Sequence, residues 1–237
     1  MDYPVRTAIC LFSNGNTMAD QPHFELYAFW RTSATYRVRV ALNLKGLAAH
    51  ERIVNLEAGE QNSEAFLKIN PLGAIPALVE DGFPPITQSL AILEFLDETV
   101  PNPPLLPADP HERARVRSIA AMLAADTHPL ITPRIKRYLT AQGFDDAAWR
   151  AWQTQWFSAG LLAVEQRLAS ESQTGIFCQG DAVTTADILL MSIIVVARIF
   201  KIEVSGIPTI GRIVARCEAH PAFIKADPMK QDGAPQG

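Results

Sequence analysis

The fold is decided by the stretch Asn70-Pro71-Leu72-Gly73-Ala74-Ile75-Pro76-Ala77-Leu78-Val79. It ends a predicted helix, turns at Gly73 and enters an apolar strand through Pro76. A proline at the start of a core strand removes a backbone donor from the sheet, which suits a sharp turn that leaves backbone groups free. If the Ile75–Pro76 bond is cis, the N–H and C=O of Ile75 point outward and can pair with an extended peptide.

A predicted helix start follows this stretch. Gln88 and Ser89 open the helical pattern Ser89-Leu90-Ala91-Ile92-Leu93-Glu94-Phe95-Leu96. The first N–H groups of a helix have no partner within it, and its dipole is positive at that end, so a helix start favours a carboxylate. A backbone clamp beside a carboxylate site predicts binding of a small acidic peptide.

These motifs resemble the glutathione site of the cytosolic glutathione transferases. A third motif, Phe29-Trp30-Arg31-Thr32-Ser33-Ala34-Thr35-Tyr36-Arg37-Val38-Arg39-Val40-Ala41-Leu42, resembles the signature of the zeta class. That class includes the maleylacetoacetate and maleylpyruvate isomerases. The resemblance runs from about Phe24 to about Phe223, and it implies glutathione as the cofactor, a small electrophilic substrate and a homodimer.

The order of predicted elements between residues 24 and 98 is β-α-β-α-β-β-α, which is the thioredoxin-like arrangement. Its first helix is predicted over Tyr36–Leu44, after a loop over Trp30–Thr35, and is ended by Gly46. Residues 1–23 are predicted to be a disordered or extraneous tail.

The second half of the chain has a different composition. Residues 99–110 are predicted to be a proline-rich linker. Residues 111–237 are predicted to be all helical, with a long helix over His111–Leu139 that contains only Pro129 and Pro133 as breakers. The predicted fold class is therefore an α/β thioredoxin-like N-terminal domain plus an all-α C-terminal domain, and the resemblance implies that this is the glutathione transferase fold.

The bulk composition excludes several classes of protein. Almost half of the 237 residues are apolar, and the formal charge of −4 makes nucleic acid and anionic membranes poor partners. No apolar run is long enough to span a bilayer. The three cysteines, Cys10, Cys178 and Cys217, are far apart, so neither a disulfide scaffold nor a metal site is expected, and a reducing, cytoplasmic location fits.

One buried acid is expected to be structural. Thr184 can cap the helix that follows it, and Asp187 can accept a hydrogen bond from the N–H of Thr184, as in a capping box.

Glutathione chemistry requires an ionised thiol, whose ordinary pKa is about 8.5. A hydroxyl or N–H aimed at the sulfur favours the thiolate, as does a helix start. Thr32, Ser33 and Thr35 lie where the first strand gives way to the first helix. From position alone, they either serve the thiol or only cap the helix. The resemblance implies Ser33 and Thr32 as the thiolate donors, with Ser33 preferred.

The resemblance also implies the other site residues. For glutathione they are Ala34, Thr35, Gln61, Ile75, Pro76, Gln88, Ser89 and His128. For substrate they are Arg31, Arg134 and Arg198. His128 can instead be satisfied locally, and Arg37 and Arg39 can be ordinary solvated or interface charges. Asn70 is interpreted only as a helix-end residue.

Two departures from the zeta pattern bear on the substrate. Ala34 stands where many members have a cysteine, and Ile199 stands where the isomerases have an arginine. Arg198 is one residue earlier, and one residue turns a helix by about 100°. The first hypothesis is therefore a glutathione-dependent isomerase, with conjugation of another electrophile as the alternative. The second hypothesis is a glutathione-binding module without turnover, since a fold does not imply a function.

Overall fold

The computed structural model describes residues 23–235, so the predicted tail lies, except for His23, outside the described residues. The first half has strands β1 (Phe24–Ala28), β2 (Ala49–Ile53), β3 (Ala77–Glu80) and β4 (Ile86–Thr87), with helices α1 (Ser33–Lys45), α2 (Glu64–Ile69) and α3 (Ser89–Thr99). The second half has α4 (Pro110–Ala121), α5 (Pro133–Ala141), α6 (Asp146–Ser170), α7 (Thr185–Ile199), α8 (Pro208–Glu218) and α9 (Pro221–Lys225). Both the predicted order of the first half and the fold class are confirmed.

The sheet has the strand order β2-β1-β3-β4. β1 runs parallel to β2 and antiparallel to β3, and β4 is antiparallel to β3. In this register Leu26 lies opposite Leu78, and both side chains are completely buried. Because β1 and β3 are antiparallel, the end of β1 lies beside the start of β3, where Tyr27 pairs with Ala77.

The first helix begins three residues earlier than predicted. Thr32, with extended backbone, is the N-cap of α1, and its carbonyl oxygen accepts from the N–H of Tyr36. The side chain of Thr32 makes no capping hydrogen bond. The predicted loop over Trp30–Thr35 is therefore wrong at its end, since Ser33 is already in the first turn. The predicted end is right, because Gly46 follows α1 in the left-handed conformation.

The predicted long helix over His111–Leu139 is wrong as one element. After α4 the chain forms a π-helical turn over Met122–Thr127 and a 3₁₀ turn over His128–Ile131, and only then begins α5. Proline has no N–H to donate and disfavours helical backbone in the residue before it, so Pro129 and Pro133 interrupt the ladder. His128 thus lies in a break between helices and not within one.

The capping box at α7 is confirmed. The backbone N–H of Thr184 donates to Oδ2 of Asp187 at 2.8 Å, and the N–H of Cys178 donates to Oδ1 at 2.7 Å. Burial raises the pKa of Asp187, and these donors oppose that rise. Cys178 and Cys217 are both buried free thiols. In the described part of the chain, no helix has the length and apolar character needed to cross a bilayer.

The deciding stretch forms a tight turn that the side chain of Asn70 holds. Its Nδ2 donates to the carbonyl oxygen of Ala74 at 2.6 Å, and its Oδ1 accepts from the N–H of Leu72 at 3.1 Å. Asn70 is therefore more than the helix-end residue that the pattern indicated. Gly73 has φ of 61°, and the Ile75–Pro76 bond is cis, as predicted.

We expect Gly73→Ala to lower the free energy of unfolding. Gly73 has left-handed backbone, and a Cβ there would lie 3.1 Å from the carbonyl oxygen of Gln61. Left-handed backbone costs a residue with Cβ about 1–2 kcal/mol. Gly211→Ala is the control, because this glycine is at an exposed position of α8 with open space around it, and the variant should gain about 0.5–1 kcal/mol. Urea unfolding of both variants measures the difference, and equal effects would contradict the strained turn.

Candidate functional site

A groove lies between the first half of the chain and the α4–α5 region, with a volume of about 660 Å³. We call it the groove, and define it by the residues that line it from both sides. The first half contributes Ala34, Arg37, Asn70, Leu72, Ala74, Ile75, Pro76, Gln88, Ser89, Leu90 and Ala91. The second contributes Ala124, Ala125, His128, Pro129, Thr132, Arg134 and Ile135. The predicted turn and the predicted helix start are thus brought together in one groove.

The charge of the groove is positive. Arg37 and Arg134 line it, and no aspartate or glutamate does. Arg37 is only 2% exposed, and burial lowers its pKa to about 9, so the guanidinium remains charged at neutral pH. A concave site lined by cations without acids favours an anionic ligand. Among residues 23–235, no group of His, Cys, Asp and Glu side chains is arranged to hold a metal ion.

Two polar side chains, Ser89 and Gln61, lie in the groove and in a cavity that adjoins it. Ser89 is the first residue of α3, and its hydroxyl oxygen accepts from Nη1 of Arg37 at 3.1 Å. Gln61 is buried beside Gly73, Ala74 and Ile75 in an adjoining cavity of about 110 Å³. The side-chain oxygen of Gln61 has no hydrogen-bond partner among the described residues. Buried polar atoms normally have partners, so this oxygen is suited to a ligand donor.

A second cavity of about 190 Å³ adjoins the groove, and we call it the Ser33 pocket. Its lining includes Arg31, Thr32, Ser33 and His128, with Val196 and Phe200 from α7. His128 lines this pocket, the groove and the Gln61 cavity. The histidine therefore stands where the three spaces meet.

The two candidate hydroxyls have different partners. The hydroxyl of Thr32 lies 2.7 Å from that of Thr35, and also within 3.4 Å of the carbonyl oxygen of Phe29. The hydroxyl of Ser33, in a residue that is 3% exposed, has no hydrogen bond to any described residue. Thr35 is completely buried and does not line these cavities, so a ligand in them would not contact its side chain directly, as was predicted for glutathione.

His128 is held neutral by its surroundings. Desolvation lowers its pKa well below the ordinary value of 6.5, and the nearby charges of Arg37 and Arg134 lower it further. Its imidazole has no hydrogen bond to another described residue, although it is partly buried. The alternative of a locally satisfied histidine is therefore not supported by the geometry.

Arg31 borders the Ser33 pocket on its outer side. Its guanidinium pairs with Glu57 at 2.8 Å and lies 5.8 Å and 5.7 Å from the ring centres of Phe29 and Trp30. An adjoining cavity of about 480 Å³ adds Lys136 and Arg150 to its surroundings. Nη1 of Arg150 donates to the carbonyl oxygens of Phe200 and Lys201, at the end of α7.

Arg198, predicted as a substrate contact, lines neither the groove nor the Ser33 pocket. Val196 and Phe200 face the Ser33 pocket, whereas Arg198 and Ile199 line a cavity on the other side, next to Tyr36. There Arg198 pairs with Glu218. Because successive residues are about 100° apart on a helix, Arg198 cannot share the face of Val196 and Phe200.

Sequence reasoning did not single out Arg37, which lines the groove, or Arg150, which lines the cavity beside Arg31. Arg37 has a signal in the sequence: it follows Ser33 by four residues, and residues i and i+4 share a helix face. That signal becomes usable only when Ser33 is placed inside the helix. Arg150 has no comparable signal, since its position depends on how α6 packs against the end of α7.

Comparisons with known proteins agree with this architecture. A model of the glutathione S-transferase N-terminal domain matches residues 22–98. The probable maleylacetoacetate isomerase of Vibrio cholerae is 41% identical over 212 residues, which cover 88% of this chain and 97% of that protein.

Two solved structures cover nearly the whole chain. The crystal structure of maleylacetoacetate isomerase from Methylobacterium extorquens AM1, with bound malonate and GSH, has a TM-score of 0.87 at 46% identity, covering 90% of this chain and 100% of that one. The holo structure of maleylpyruvate isomerase, a bacterial zeta-class glutathione S-transferase, has a TM-score of 0.86 at 39% identity, covering 89% and 100%. The chain belongs to the glutathione S-transferase family, and within it is similar to the zeta-class isomerases.

Proposed function

We propose that this protein is a glutathione-dependent enzyme of the zeta type that isomerises a maleyl diacid from cis to trans. The observation that carries the proposal is the unpartnered hydroxyl of Ser33 at the start of α1, beside an acid-free cationic groove. The relative from Methylobacterium extorquens holds both GSH and malonate, which is a dicarboxylate. Maleylacetoacetate and maleylpyruvate are therefore the substrates to test first.

The groove suits glutathione as an extended acidic peptide. The Ser89 hydroxyl and the free N–H groups at the start of α3 suit the γ-glutamyl carboxylate, with Gln88 beside them. The backbone of Ile75, next to Pro76, suits the cysteinyl peptide unit. The unpartnered oxygen of Gln61 suits an N–H of the ligand.

When bound, glutathione supplies a thiolate that adds reversibly to the activated alkene, so that the carbon–carbon bond can rotate before the thiolate leaves. The protein favours the ionised thiol through the Ser33 hydroxyl and the N–H groups of the first turn of α1. Ala34 provides no thiol of its own, so the nucleophile comes from glutathione. Arg37 and Arg134 add positive potential to the groove.

His128 acts as a neutral group where the groove meets the Ser33 pocket. Because its pKa is lowered well below 6.5, the imidazole is not protonated to imidazolium at neutral pH, and it cannot act as a general acid there. A neutral imidazole still offers one donor and one acceptor, which suits orientation of the thiol and of the substrate carbonyl.

The cations on the outer side of the Ser33 pocket suit substrate carboxylates. The candidates are Arg31, which lines this pocket, Arg150, which lines the adjoining cavity, and Arg134, which lines the groove. Conjugation of another electrophile is the second candidate function. It is favoured by one observation, that neither Arg198 nor Ile199 reaches the Ser33 pocket.

We also propose a homodimer and a cytoplasmic location, following the family resemblance. The two buried free thiols support a reducing compartment. A monomeric mass in solution by light scattering would contradict the dimer.

A substrate screen tests the proposed function. Purified protein with glutathione should isomerise maleylacetoacetate or maleylpyruvate, and omission of glutathione should abolish the reaction. Turnover of an aryl halide alone would favour the conjugating transferase. Binding of glutathione without turnover of any of the three would favour the non-catalytic module.

Ser33→Ala should raise the pKa of the bound thiol and lower turnover at neutral pH, while most of the glutathione affinity remains. A rise of about one pKa unit corresponds to ~1.4 kcal/mol of thiolate stabilisation. Thr32→Ala is the matched control, and should have the smaller effect because its hydroxyl already pairs with Thr35. Ultraviolet absorbance of the thiolate measures both variants. If neither shifts the thiol pKa, the hydroxyl mechanism is wrong.

The free energy of unfolding should fall as the pH drops below about 6.5, partly through His128. Its pKa is lowered in the folded state, so below 6.5 the unfolded chain binds a proton that the folded protein does not. The slope from one such group is at most about 1.4 kcal/mol per pH unit. His128→Gln should remove the contribution of His128 to the pH dependence of the free energy of unfolding, as measured by urea unfolding at pH 5.5 and 7.5. An identical pH dependence in both proteins would rule out the neutral, desolvated histidine.

A further inference from the structure

We propose that Arg37 is a positioning residue that turns Ser89 into a hydrogen-bond donor for the γ-glutamyl carboxylate of glutathione. The inference rests on the proposed function, since it takes glutathione as the ligand of the groove. Arg37 would not be the residue that binds the carboxylate. It would act through Ser89, the first residue of α3, whose hydroxyl it contacts.

The geometry is a continuous chain of hydrogen bonds across the two halves of the protein. Nε of Arg37 donates to the hydroxyl oxygen of Ser192 at 2.8 Å, and Nη1 donates to that of Ser89 at 3.1 Å. The hydroxyl of Ser192 in turn donates to the carbonyl oxygen of Leu189 at 2.7 Å. All three side chains are buried, so water does not compete for these bonds.

The direction of each bond follows from counting protons. A guanidinium only donates, and a hydroxyl has a single proton to give. Ser192 gives its proton to Leu189, so it meets Arg37 as an acceptor. Ser89 also meets Arg37 as an acceptor, and its own proton has no acceptor among the described residues. The Ser89 hydroxyl is therefore held with its proton free for a ligand.

The unpaired charge of Arg37 also favours an anionic ligand. The described ion pairs give Arg39 a carboxylate in Glu51, but give none to Arg37. Nη2 of Arg37 is buried and has no hydrogen-bond partner among residues 23–235. A buried charge without a counter-ion is costly, and an anion bound in the adjoining groove would offset that cost. Since α3 also begins at Ser89, the hydroxyl, the helix start and the guanidinium all favour one carboxylate.

Arg39 provides a matched control on the same helix. It is 3% exposed, against 2% for Arg37, and its guanidinium is used by Glu51 and by the carbonyl oxygen of Trp30. It does not line the groove. Arg37→Met and Arg39→Met therefore remove similarly buried cations, but only the first should affect the ligand carboxylate.

Calorimetry with three ligands tests the proposal. They are glutathione, γ-aminobutyryl-cysteinylglycine, which lacks the γ-glutamyl carboxylate, and glutathione esterified at the glycine carboxylate. Arg37→Met should weaken binding of glutathione and of the ester by about tenfold or more, the effect of losing charge-assisted contacts. It should leave the affinity for γ-aminobutyryl-cysteinylglycine within about twofold. Arg39→Met should leave the preference for glutathione over that analogue unchanged.

A double-mutant cycle shows whether Arg37 acts through Ser89. In a Ser89→Ala background, Arg37→Met should have a clearly smaller effect on glutathione affinity than in the parent protein. If Arg37→Met does not fold, Ser192→Ala is tested instead. This variant keeps the charge of Arg37 but removes the hydroxyl that accepts from its Nε. It should lower the preference for glutathione over γ-aminobutyryl-cysteinylglycine.

Three results would overturn the inference. They are equal weakening of all three ligands by Arg37→Met, an unchanged preference in that variant, and an equal loss of preference in Arg39→Met. A preference that depends on the glycine carboxylate would place the other end of glutathione at Ser89 and overturn the assignment. If the parent protein binds no glutathione at all, the proposed function itself fails, which is a distinct result.

Discussion

The site depends on the antiparallel register of β1 and β3. Because Tyr27 lies opposite Ala77, the chain leaves β1 at the same edge of the sheet at which it enters β3. Only Phe29–Thr32 separate β1 from α1, so Ser33 must begin its helix beside the turn that ends at Pro76. A one-residue slip of this register would turn every β1 side chain to the other face and separate these groups.

The helical half contributes to the site through irregular backbone between α4 and α5. The π-helical turn and the prolines after it place His128 in a break between α4 and α5. A regular helix there would have turned the residues beyond Met122 by different angles, and so changed which side chains line the groove. Arg37 joins this half to the first, since it contacts Ser192 on α7 and Ser89 on α3. The two halves therefore meet through polar as well as apolar contacts.

What the sequence could predict was set by local signals, and what it missed was set by helix phase and burial. Gly73, Pro76 and the helix start at Ser89 have strong local signatures, and the structure has the turn and the helix where they were expected. Arg198 was assigned to the correct helix, but the phase of α7 turns it away. Arg37 was interpreted as an ordinary charge because burial depends on α3 and α7, which are far away in sequence.

The contrast between Arg37 and Arg39 shows why burial alone does not identify a functional cation. Arg39 is as buried as Arg37, but Glu51 and a backbone carbonyl use its donors, so its charge is satisfied within the fold. Within the part of the chain that the structure describes, Arg37 is satisfied only by neutral hydroxyls, which cannot neutralise it. A chain that served stability alone would gain by pairing or removing such a charge, because an unpaired buried ion is destabilising. Its position beneath the start of α3 accounts for that cost, because the missing counter-charge is one that the groove is arranged to receive.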